Sequence, residues 1–573
     1  MNSPDILQGL NPAQHDAVIH RGGPLLVVAG AGSGKTRVLT QRIAHLIQED
    51  NINPFQILAI TFTNKAAQEM KDRVAALVGP VAEKMWVSTF HSACVRILRR
   101  DAEQLGYPSA FSIYDQADAT RLTGYVVRDL GLDNKKFVAR SVHAQISNLK
   151  NELISTDAAL DRADGIFGRK IAEIYDEYQR RLRSAGAMDF DDLLTVTVQL
   201  FDNFPNALSH YQERFQHVLV DEYQDTNPAQ NDIVLKLGDK HRNVFVVGDS
   251  DQSVYAFRGA DIRNILEFEK AFPDTGVVVL DQNYRSTQTI LDAANSVISN
   301  NYGRKPKELW TDKSGGDKIV MYRADDEVDE AAWIIGELQR LHGQGGLRWS
   351  DVAIFYRANA QSRILEERLA GVSVPYRVVG GTRFYDRREV KDALAYLRAV
   401  VNPADEVSLK RVLNVPKRGI GDSSVTRLDQ YANSNGVPFY EALNDWPEVG
   451  ISGPAKKGLA NFTELLRQLS HRVSDGPAEL LQLALERSGY IEELRDERSI
   501  EAEGRLENLA ELIGSAEQYE TCHEFLEQVS LVSPTDELDD QSEVTLMTLH
   551  TAKGLEFPIV FVVGMEDGIF PSF

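Results

Sequence analysis

The sequence predicts an α/β protein with two parallel-sheet units, each interrupted by a mostly helical insertion. Short apolar runs that end in polar turns occur near both ends of the 573-residue chain. Such runs are typical of strands buried on both faces of a parallel sheet. Between them, residues 93–212 and 378–540 have helical spacing and few strand signals. The length is too great for one hydrophobic core and indicates three or four domains.

The composition is typical of a globular protein, with 43% apolar and 25% charged residues. Cys94 and Cys522 lie far apart without a Cys-x-x-Cys spacing, which argues against a disulfide framework or a zinc site and fits a reducing compartment. The N-terminus has no signal-peptide pattern, and no apolar run approaches membrane-spanning length. We therefore expect a cytoplasmic protein that has no membrane partner.

The net charge of −22 opposes a nucleic-acid partner when it is considered alone. Net charge describes solubility and long-range steering, however. A groove that follows a phosphate backbone needs only a few local lysine and arginine side chains. The acidic balance therefore does not exclude nucleic acid.

The first predicted strand leads into a glycine-rich loop and a helix. Residues 25–28 are apolar, three alternate glycines follow, and a stretch with helical spacing begins at Lys35. This is the pattern of a P-loop, whose backbone N–H groups and helix N-terminus bind phosphates; Lys35 would contact the β and γ phosphates, and Thr36 would hold Mg²⁺. Position 29 is alanine where the strict pattern has glycine, and an ordinary helix cap is the alternative. The predicted phosphate-binding residues are Ala29, Gly30, Ala31, Gly32, Ser33, Gly34, Lys35 and Thr36.

The remaining elements follow in an order typical of α/β units. A capped helix start lies at residues 10–14, with Pro12 in its first position. For the first unit we then expect strand-to-turn segments at 56–65 and 85–92, a helix at 66–76, and strands at 217–221 and 243–248. For the second unit we expect strands at 276–280, 318–322, 351–356, 544–547 and 559–563.

An acidic pair follows the strand at 217–221. Apolar residues followed by Asp221 and Glu222 form a Walker B pattern, in which the aspartate holds Mg²⁺ and the glutamate polarises the attacking water. An acidic loop that merely caps a strand is the alternative. Together with the P-loop, the pair predicts hydrolysis of a nucleoside triphosphate.

A third polar loop joins a nucleotide sensor to a pair of aromatic residues. Gln252 follows the strand at 243–248 and could sense the γ-phosphate. Tyr255 and Phe257 come directly after it, with Arg258 next, and aromatic side chains of this kind can stack on the bases of a single strand regardless of sequence. Packing of both aromatics in the core is the alternative.

Taken in order, these motifs resemble those of the UvrD/Rep/PcrA helicases, superfamily 1 DNA helicases that move from 3′ to 5′. The resemblance runs from about residue 10 to residue 573. The matching segments are Ala29-Gly-Ala-Gly-Ser-Gly-Lys-Thr36, Thr61-Phe-Thr-Asn-Lys-Ala-Ala67, Asp221-Glu-Tyr-Gln-Asp225, Gly248-Asp-Ser-Asp-Gln-Ser-Val-Tyr255, Gln282-Asn-Tyr-Arg-Ser286 and Leu546-Met-Thr-Leu-His-Thr-Ala-Lys-Gly-Leu-Glu-Phe557.

The resemblance implies two RecA-like P-loop NTPase core domains, 1A and 2A, with helical insertions 1B and 2B. The expected bounds are 1–88 and 213–278 for 1A, 89–212 for 1B, 279–377 and 541–573 for 2A, and 378–540 for 2B. It also implies ATP and Mg²⁺ as cofactors. Gln14 would read the adenine, Arg37 and Tyr284 would sandwich it, Arg285 would contact the γ-phosphate, and Glu556 would belong to the segment that closes on the nucleotide.

The resemblance further implies contacts with single-stranded DNA and with junctions of single and double strands. As isolated residues, His91 and His550 would more often be structural. The loop at 415–422 resembles the duplex-contacting loop of 2B, although a simple turn between helices is the alternative. The implied DNA-binding residues are Phe62, Thr63, Asn64, His91, Tyr255, Phe257, Arg258, Asn359, Arg363, Lys417, Arg418, Gly419, Gly421 and His550.

One departure from the family pattern concerns the end of the sequence. The family continues past Phe-Pro-Ser to a helix with a Val-Gly-x-Thr-Arg motif, whose arginine also contacts the γ-phosphate, and the given sequence ends at Phe573 without it. We expect a C-terminally truncated form with an incomplete 2A that hydrolyses ATP slowly, and a catalytically weakened DNA-binding module is the alternative. A helicase–nuclease is disfavoured because no nuclease domain follows. DNA-repair proteins are possible partners of a monomer or weak dimer.

Overall fold

The computed structural model describes residues 6–313, 315–344, 346–379, 384–531 and 542–571. Its strands form parallel sheets, as the uninterrupted apolar runs predict. The strands are β1 (Leu25–Ala29), β2 (Ile57–Thr61), β3 (Trp86–Thr89), β4 (Ser112–Tyr114), β5 (Ala187–Asp189), β6 (His217–Val220), β7 (Val244–Gly248), β8 (Gly276–Leu280), β9 (Val352–Tyr356), β10 (Tyr376–Val378), β11 (Val544–Thr548) and β12 (Ile559–Val562).

Helices cover both sheets and form the two insertions. They are α1 (Pro12–Ile19), α2 (Lys35–Gln48), α3 (Asn64–Val78), α4 (Phe90–Asp101), α5 (Gln116–Asp129), α6 (Ala139–Asn151), α7 (Thr156–Arg162), α8 (Gly165–Ser184), α9 (Phe190–Asn203), α10 (Pro205–Arg214), α11 (Pro228–Gly238), α12 (Arg263–Leu266), α13 (Phe268–Ala271), α14 (Gln288–Ile298), α15 (Glu327–Gly343), α16 (Ser362–Gly371), α17 (Arg388–Val401), α18 (Glu406–Val412), α19 (Asp422–Asn435), α20 (Phe439–Asn444), α21 (Pro454–Ser470), α22 (Pro477–Arg487), α23 (Tyr490–Glu497), α24 (Ile500–Ala516) and α25 (Cys522–Leu531).

The first sheet has the strand order β3-β2-β6-β7-β1-β8. Because side chains alternate across a strand, β1 contributes to two cores. Leu25 and Val27 pack with residues of α2 and α3 on one face. Leu26 and Val28 pack with residues of α4 and α9 on the other. Helices therefore cover both faces of the sheet, and its carboxyl edge carries the loops that follow β1, β6 and β7.

The second sheet has the order β10-β11-β9-β12 and packs against α15 and α16. Each helical insertion has a hydrophobic core. Residues of α5, α6 and α8 form the first core, and residues of the helices from α17 to α25 form the second. The predicted domain bounds stay predictions. The first core shows that α4 and α9, from within the predicted insertion 89–212, pack directly on the first sheet.

Two expectations about the strands are wrong. The segment 276–280 was assigned to the second unit, but β8 pairs with β1 from Leu25↔Gly276 to Ala29↔Leu280. The apolar run 318–322 is irregular and exposed, with Met321 92% accessible, because no described strand pairs with it. The first insertion also contains β4 and β5, a parallel pair that a helical pattern did not indicate.

In the described part of the chain, no helix is both long and apolar enough to cross a membrane.

Candidate nucleotide and DNA sites

The P-loop connects β1 to α2, at the carboxyl edge of the first sheet where ligands bind in open α/β folds. Gly32 and Gly34 have φ values of 64° and 87°, which only glycine adopts without strain. A Cβ atom on Gly30 would lie 2.1 Å from Leu309 Cδ2. The glycines therefore permit both the turn and the close approach of residues from beyond β8.

Lys35, the first residue of α2, lies against the acidic loop after β6. Its Nζ is 3.3 Å from Glu222 Oε1 and 3.5 Å from Gln252 Oε1. Burial lowers the pKa of this ammonium, but the nearby carboxylates, Glu222 above all, raise it by more. The structure thus brings together three of the four residues predicted to be catalytic, and Lys35 stays charged.

The acidic pair of the Walker B pattern has two different environments. Burial and the Glu222 charge raise the pKa of Asp221 to about 7. Burial alone would raise the pKa of Glu222, but the ammonium groups of Lys35 and Lys553 outweigh it and lower the pKa. Glu222 has a φ of 51°, in the left-handed region that costs energy for a side-chain-bearing residue. Glu222 is therefore held ionised in a strained conformation.

The residues predicted to hold Mg²⁺ fit that ion. Thr36 and Asp221 offer only oxygen ligands, and Mg²⁺ prefers one or two carboxylates together with phosphate oxygens and water. Asp221 is buried, and its Oδ1 accepts from the backbone N–H of Glu222 at 2.9 Å. Thr36 and Asp221 would hold the metal, whose role is to neutralise phosphate charge.

The residues predicted around the adenine lie at the start of the chain and beyond β8. Gln14 is buried, and its Nε2 donates to Ser33 O at 2.8 Å. Arg37 donates to the carbonyl of Gln8 at 3.0 Å. Asn11 Nδ2 donates to the hydroxyl of Tyr284 at 2.9 Å. Asn11 also accepts from Gln14 N at 2.8 Å and so lies between Gln14 and Tyr284, and the predicted adenine roles stay predictions.

Asn283 is a site residue that the sequence reasoning missed. It is 2% exposed, and its Nδ2 donates to the carbonyl of Ala31 in the P-loop at 2.6 Å. Its Oδ1 accepts from the backbone N–H groups of Arg285 and Ser286 at 2.9 and 2.7 Å. The sequence feature that could have identified Asn283 is its position inside the segment 282–286, which resembles a family motif.

Arg285 stands over the P-loop and pairs with Glu556. A Cβ atom on Gly32 would lie 2.7 Å from Arg285 Cβ. The Arg285 guanidinium forms an ion pair with the Glu556 carboxylate, so two residues predicted from distant motifs meet here. The Arg285 side chain is 41% exposed, and its phosphate contact stays a prediction.

Lys553 is a second residue that the sequence reasoning missed, although it lies within the quoted segment 546–557. Its ammonium pairs with Asp225 and donates to the carbonyl of Gln252 at 2.7 Å. It also lies 3.8 Å from Glu222 Oε2. A cation that follows β11 in the second sheet thus reaches the acidic loop beside the first.

The aromatic residues predicted to bind DNA form one continuous cluster. Phe62 stacks on Tyr255 with ring centroids 5.0 Å apart, and the Tyr255 and Phe257 centroids are 6.1 Å apart. Phe257 meets His550 edge to face at 5.0 Å and is 64% exposed. The alternative of core packing therefore fails for Phe257. The side chain of Arg258 lies outside the described residues.

Three other predicted DNA residues follow neighbouring strands of the first sheet: Thr63 and Asn64 lie at the start of α3, after β2, and His91 lies in α4, after β3. Thr63 caps α3 by accepting from Ala66 N at 3.1 Å, and Asn64 donates to the carbonyl of Leu531 at 2.7 Å. Burial lowers the pKa of His91 to about 4, so this imidazole is neutral at pH 7.

Asn359 and Arg363 follow β9, and His550 follows β11. Because β9 and β11 are parallel neighbours, all three residues lie at the same edge of the second sheet.

The loop at 415–422 divides its residues between surface and interior. Lys417, Gly419 and Gly421 are exposed. The Arg418 guanidinium instead donates to the carbonyls of Val412 and Pro416 at 2.9 and 3.2 Å. Arg418 therefore stabilises the loop from inside, while the predicted phosphate contact rests on the exposed positions.

This fold and site define a P-loop NTPase with two RecA-like sheets. Residues 10–273 match the model of the UvrD/REP helicase N-terminal domain, and residues 278–573 match that of the UvrD-like helicase C-terminal domain. The chain belongs to the UvrD/Rep helicase family.

Curated relatives agree with this assignment. The ATP-dependent DNA helicase PcrA of Bacillus subtilis is 48% identical over 99% of this chain and 79% of its own length. The ATP-dependent DNA helicase UvrD1 of Mycobacterium tuberculosis is 50% identical over 99% of this chain and 78% of its own length. The ATP-dependent DNA helicase PcrA of Staphylococcus aureus is 48% identical over 99% of this chain and 79% of its own length.

Proposed function

We propose that this chain, an ATP-dependent DNA helicase of the UvrD/PcrA type, moves along single-stranded DNA from 3′ to 5′ and opens duplex DNA during repair or replication. The observation that carries the proposal is the connection between the two sites. Lys553 and His550 lie in one turn after β11, and they contact the hydrolysis loop and the aromatic cluster, respectively. A movement of this turn would change both sites at once.

Each residue of the cleft has a chemical task in this proposal. Lys35 neutralises the β and γ phosphates, and Glu222, held ionised, orients the attacking water and accepts its proton. Gln252 and Arg285 approach the γ-phosphate from opposite units, so that they stabilise charge that develops in the transition state. Thr36 and Asp221 would hold Mg²⁺, which would supply positive charge to neutralise the phosphates.

Cleft closure would then be transmitted to the DNA. Lys553 and Arg285 connect the second unit to the first, and closure around the phosphates draws the turn after β11 toward the acidic loop. Phe62, Tyr255 and Phe257 would exchange bases between their faces as the cleft opens and closes.

The wider setting is also a proposal. Both cysteines are free and buried, which fits a reducing cytoplasm. We place the protein there as a monomer or weak dimer that acts at single-strand/duplex junctions, together with DNA-repair proteins.

The proposal is tested by unwinding assays on duplexes with a 3′ or a 5′ single-stranded tail, run beside DNA-stimulated ATP hydrolysis. We expect ATP-dependent unwinding of the 3′-tailed duplex only, and no activity for Lys35→Ala. Equal unwinding of the 5′-tailed duplex would overturn the polarity. DNA binding without any hydrolysis would favour a DNA-binding module.

A further inference from the structure

A buried lysine from beyond β8 reaches the loop that carries Gln252. Lys307 belongs to the chain segment that follows α14 and precedes α15, and its side chain is only 1% exposed. Its Nζ lies 2.6 Å from Asp249 Oδ1 and 2.6 Å from Asp251 Oδ2. One ammonium thus holds two carboxylates of the short helical turn Ser250–Gln252 and its cap.

Asp249 transmits this contact to Gln252. Its Oδ2 accepts from Gln252 Nε2 at 2.7 Å, which fixes the amide group. With the nitrogen held in this way, the amide oxygen of Gln252 faces Lys35 Nζ at 3.5 Å. Lys307, Asp249, Gln252 and Lys35 therefore form a continuous chain of polar contacts from the second unit to the phosphate site.

Asp249 is also connected to the acidic loop. Its backbone N–H donates to Gln224 Oε1 at 2.8 Å, and Gln224 Nε2 donates to Glu222 at 2.6 Å. Asp249 is thus connected to Gln252 through its carboxylate and to Glu222 through its backbone N–H and Gln224. A displacement of Asp249 would disturb the two together.

The electrostatics make Lys307 necessary for this arrangement. Asp249 is 1% exposed, and a buried carboxylate that loses its cation is strongly unfavourable. Arg304 donates to Asp251 at 2.8 Å, so Asp251 has a second cation. Without Lys307, Asp249 would face the Asp251 carboxylate without its ammonium, and repulsion would open the turn that carries Gln252.

The segment around Lys307 is itself fixed on the P-loop. Leu309 lies against Gly30, and Asn295 in α14 donates to the Leu309 carbonyl at 2.9 Å. The backbone carbonyl of Trp310 accepts from Asn283 N at 2.7 Å. The backbone position of Lys307 is thus fixed by the same residues that cover the phosphate loop.

We propose that Lys307 is a positioning residue for ATP hydrolysis: it holds Asp249 so that Gln252 keeps its amide oxygen directed at Lys35 and the γ-phosphate. The inference rests on the proposed ATPase function. Lys307, a residue of the second unit, would thus control the position of Gln252, the γ-phosphate sensor that the first unit carries.

The test compares Lys307→Gln with Lys305→Gln, a matched control two residues away whose lysine pairs with Glu269 on the surface. DNA-stimulated ATPase is measured over a range of ATP concentrations. We expect Lys307→Gln to lower kcat at least tenfold with KM for ATP within threefold of wild type, because phosphate binding by Lys35 persists. We expect Lys305→Gln to stay within twofold.

A double-variant cycle then asks whether Lys307 acts through Gln252. If it does, Lys307→Gln combined with Gln252→Ala has a single-turnover rate within threefold of Gln252→Ala alone, because the group to be positioned is gone. The inference is overturned if the two effects multiply in the double variant, if Lys307→Gln lowers kcat less than tenfold, or if the loss appears in KM instead of kcat. A wild-type chain without ATPase activity overturns the inference and the proposed function together, whereas an active wild type with an unaffected Lys307→Gln overturns the inference alone.

Discussion

The ammonium of Lys553, which follows β11 in the second sheet, pairs with the Asp225 carboxylate beside the first sheet. Burial raises the pKa of Asp225 to about 6, and Lys553 opposes that rise. The same ammonium helps to lower the pKa of Glu222. One side chain of the second unit thus lowers the pKa of two carboxyl groups in the acidic loop of the first.

Replacement of this ammonium should slow hydrolysis. We expect Lys553→Met to lower the DNA-stimulated ATPase rate about 10²-fold, as does the loss of one preorganised electrostatic contact in other enzymes. Nucleotide affinity should change little, since Lys35 remains. The control is Lys240→Met, whose lysine pairs with Glu213 on the surface. A wild-type rate for Lys553→Met would show that the contact is structural only.

Lys35 and Glu222 should be separable by their effects. Lys35→Ala removes the charge that faces the phosphates, so nucleotide binding and turnover should both be lost. Glu222→Gln keeps the shape of the loop and leaves Asp221 in place, so binding should persist while hydrolysis falls about 10²–10⁴-fold. Binding of a fluorescent nucleotide and single-turnover hydrolysis distinguish the two variants. Equal loss of affinity in both would contradict the assigned roles.

Phe257 should contribute to single-strand binding without sequence preference. We expect Phe257→Ala to weaken binding of single-stranded DNA by about 1–3 kcal/mol, the range for one stacked base, and to spare much of the DNA-independent ATPase. Fluorescence anisotropy at fixed salt with oligonucleotides of two compositions measures this loss. Phe55→Ala is the control, because Phe55 is an exposed aromatic, 42% accessible, in the turn before β2. Unchanged affinity for Phe257→Ala would refute the stacking role.

His217 should make the protein sensitive to acid. Burial, together with Arg42, lowers its pKa from 6.5 to about 4. Between these values the unfolded chain binds more protons than the folded chain, so stability falls as the pH decreases from 6.5 to 4. We expect His217→Gln to show a smaller decrease in the thermal unfolding midpoint from pH 7.5 to pH 4.5. His15→Gln, at a histidine whose side chain is 42% exposed, should behave as wild type, and an identical slope for all three proteins would exclude this contribution.

The local features of the site were predictable because their residues are close in sequence. The strand before the P-loop, the glycines at positive φ and the Walker B acids each follow from a few adjacent residues, and β1 and α2 lie where the pattern indicates. Phe257 is exposed beside Tyr255, as a stacking role requires.

The predictions that were wrong or missing concern contacts with residues far along the chain. Nothing within residues 276–280 states that β8 pairs with β1 rather than with the second sheet, since strand order is set by packing. The run 318–322 has the composition of a strand but no described neighbour to pair with. Asn283, Lys307 and Lys553 gain their roles only when the second unit lies on the first, and a sequence pattern does not report that contact.

The position of β8 has a practical consequence for dividing the protein. The two family models meet between residues 273 and 278, which invites a cut there when the halves are produced separately. Such a cut would remove β8 and leave β1, the strand that leads into the P-loop, as an open edge. Open apolar edges pair with other chains and aggregate. The boundary between recombinant halves therefore belongs after Leu280, where an N-terminal fragment keeps its outer strand and stays shielded.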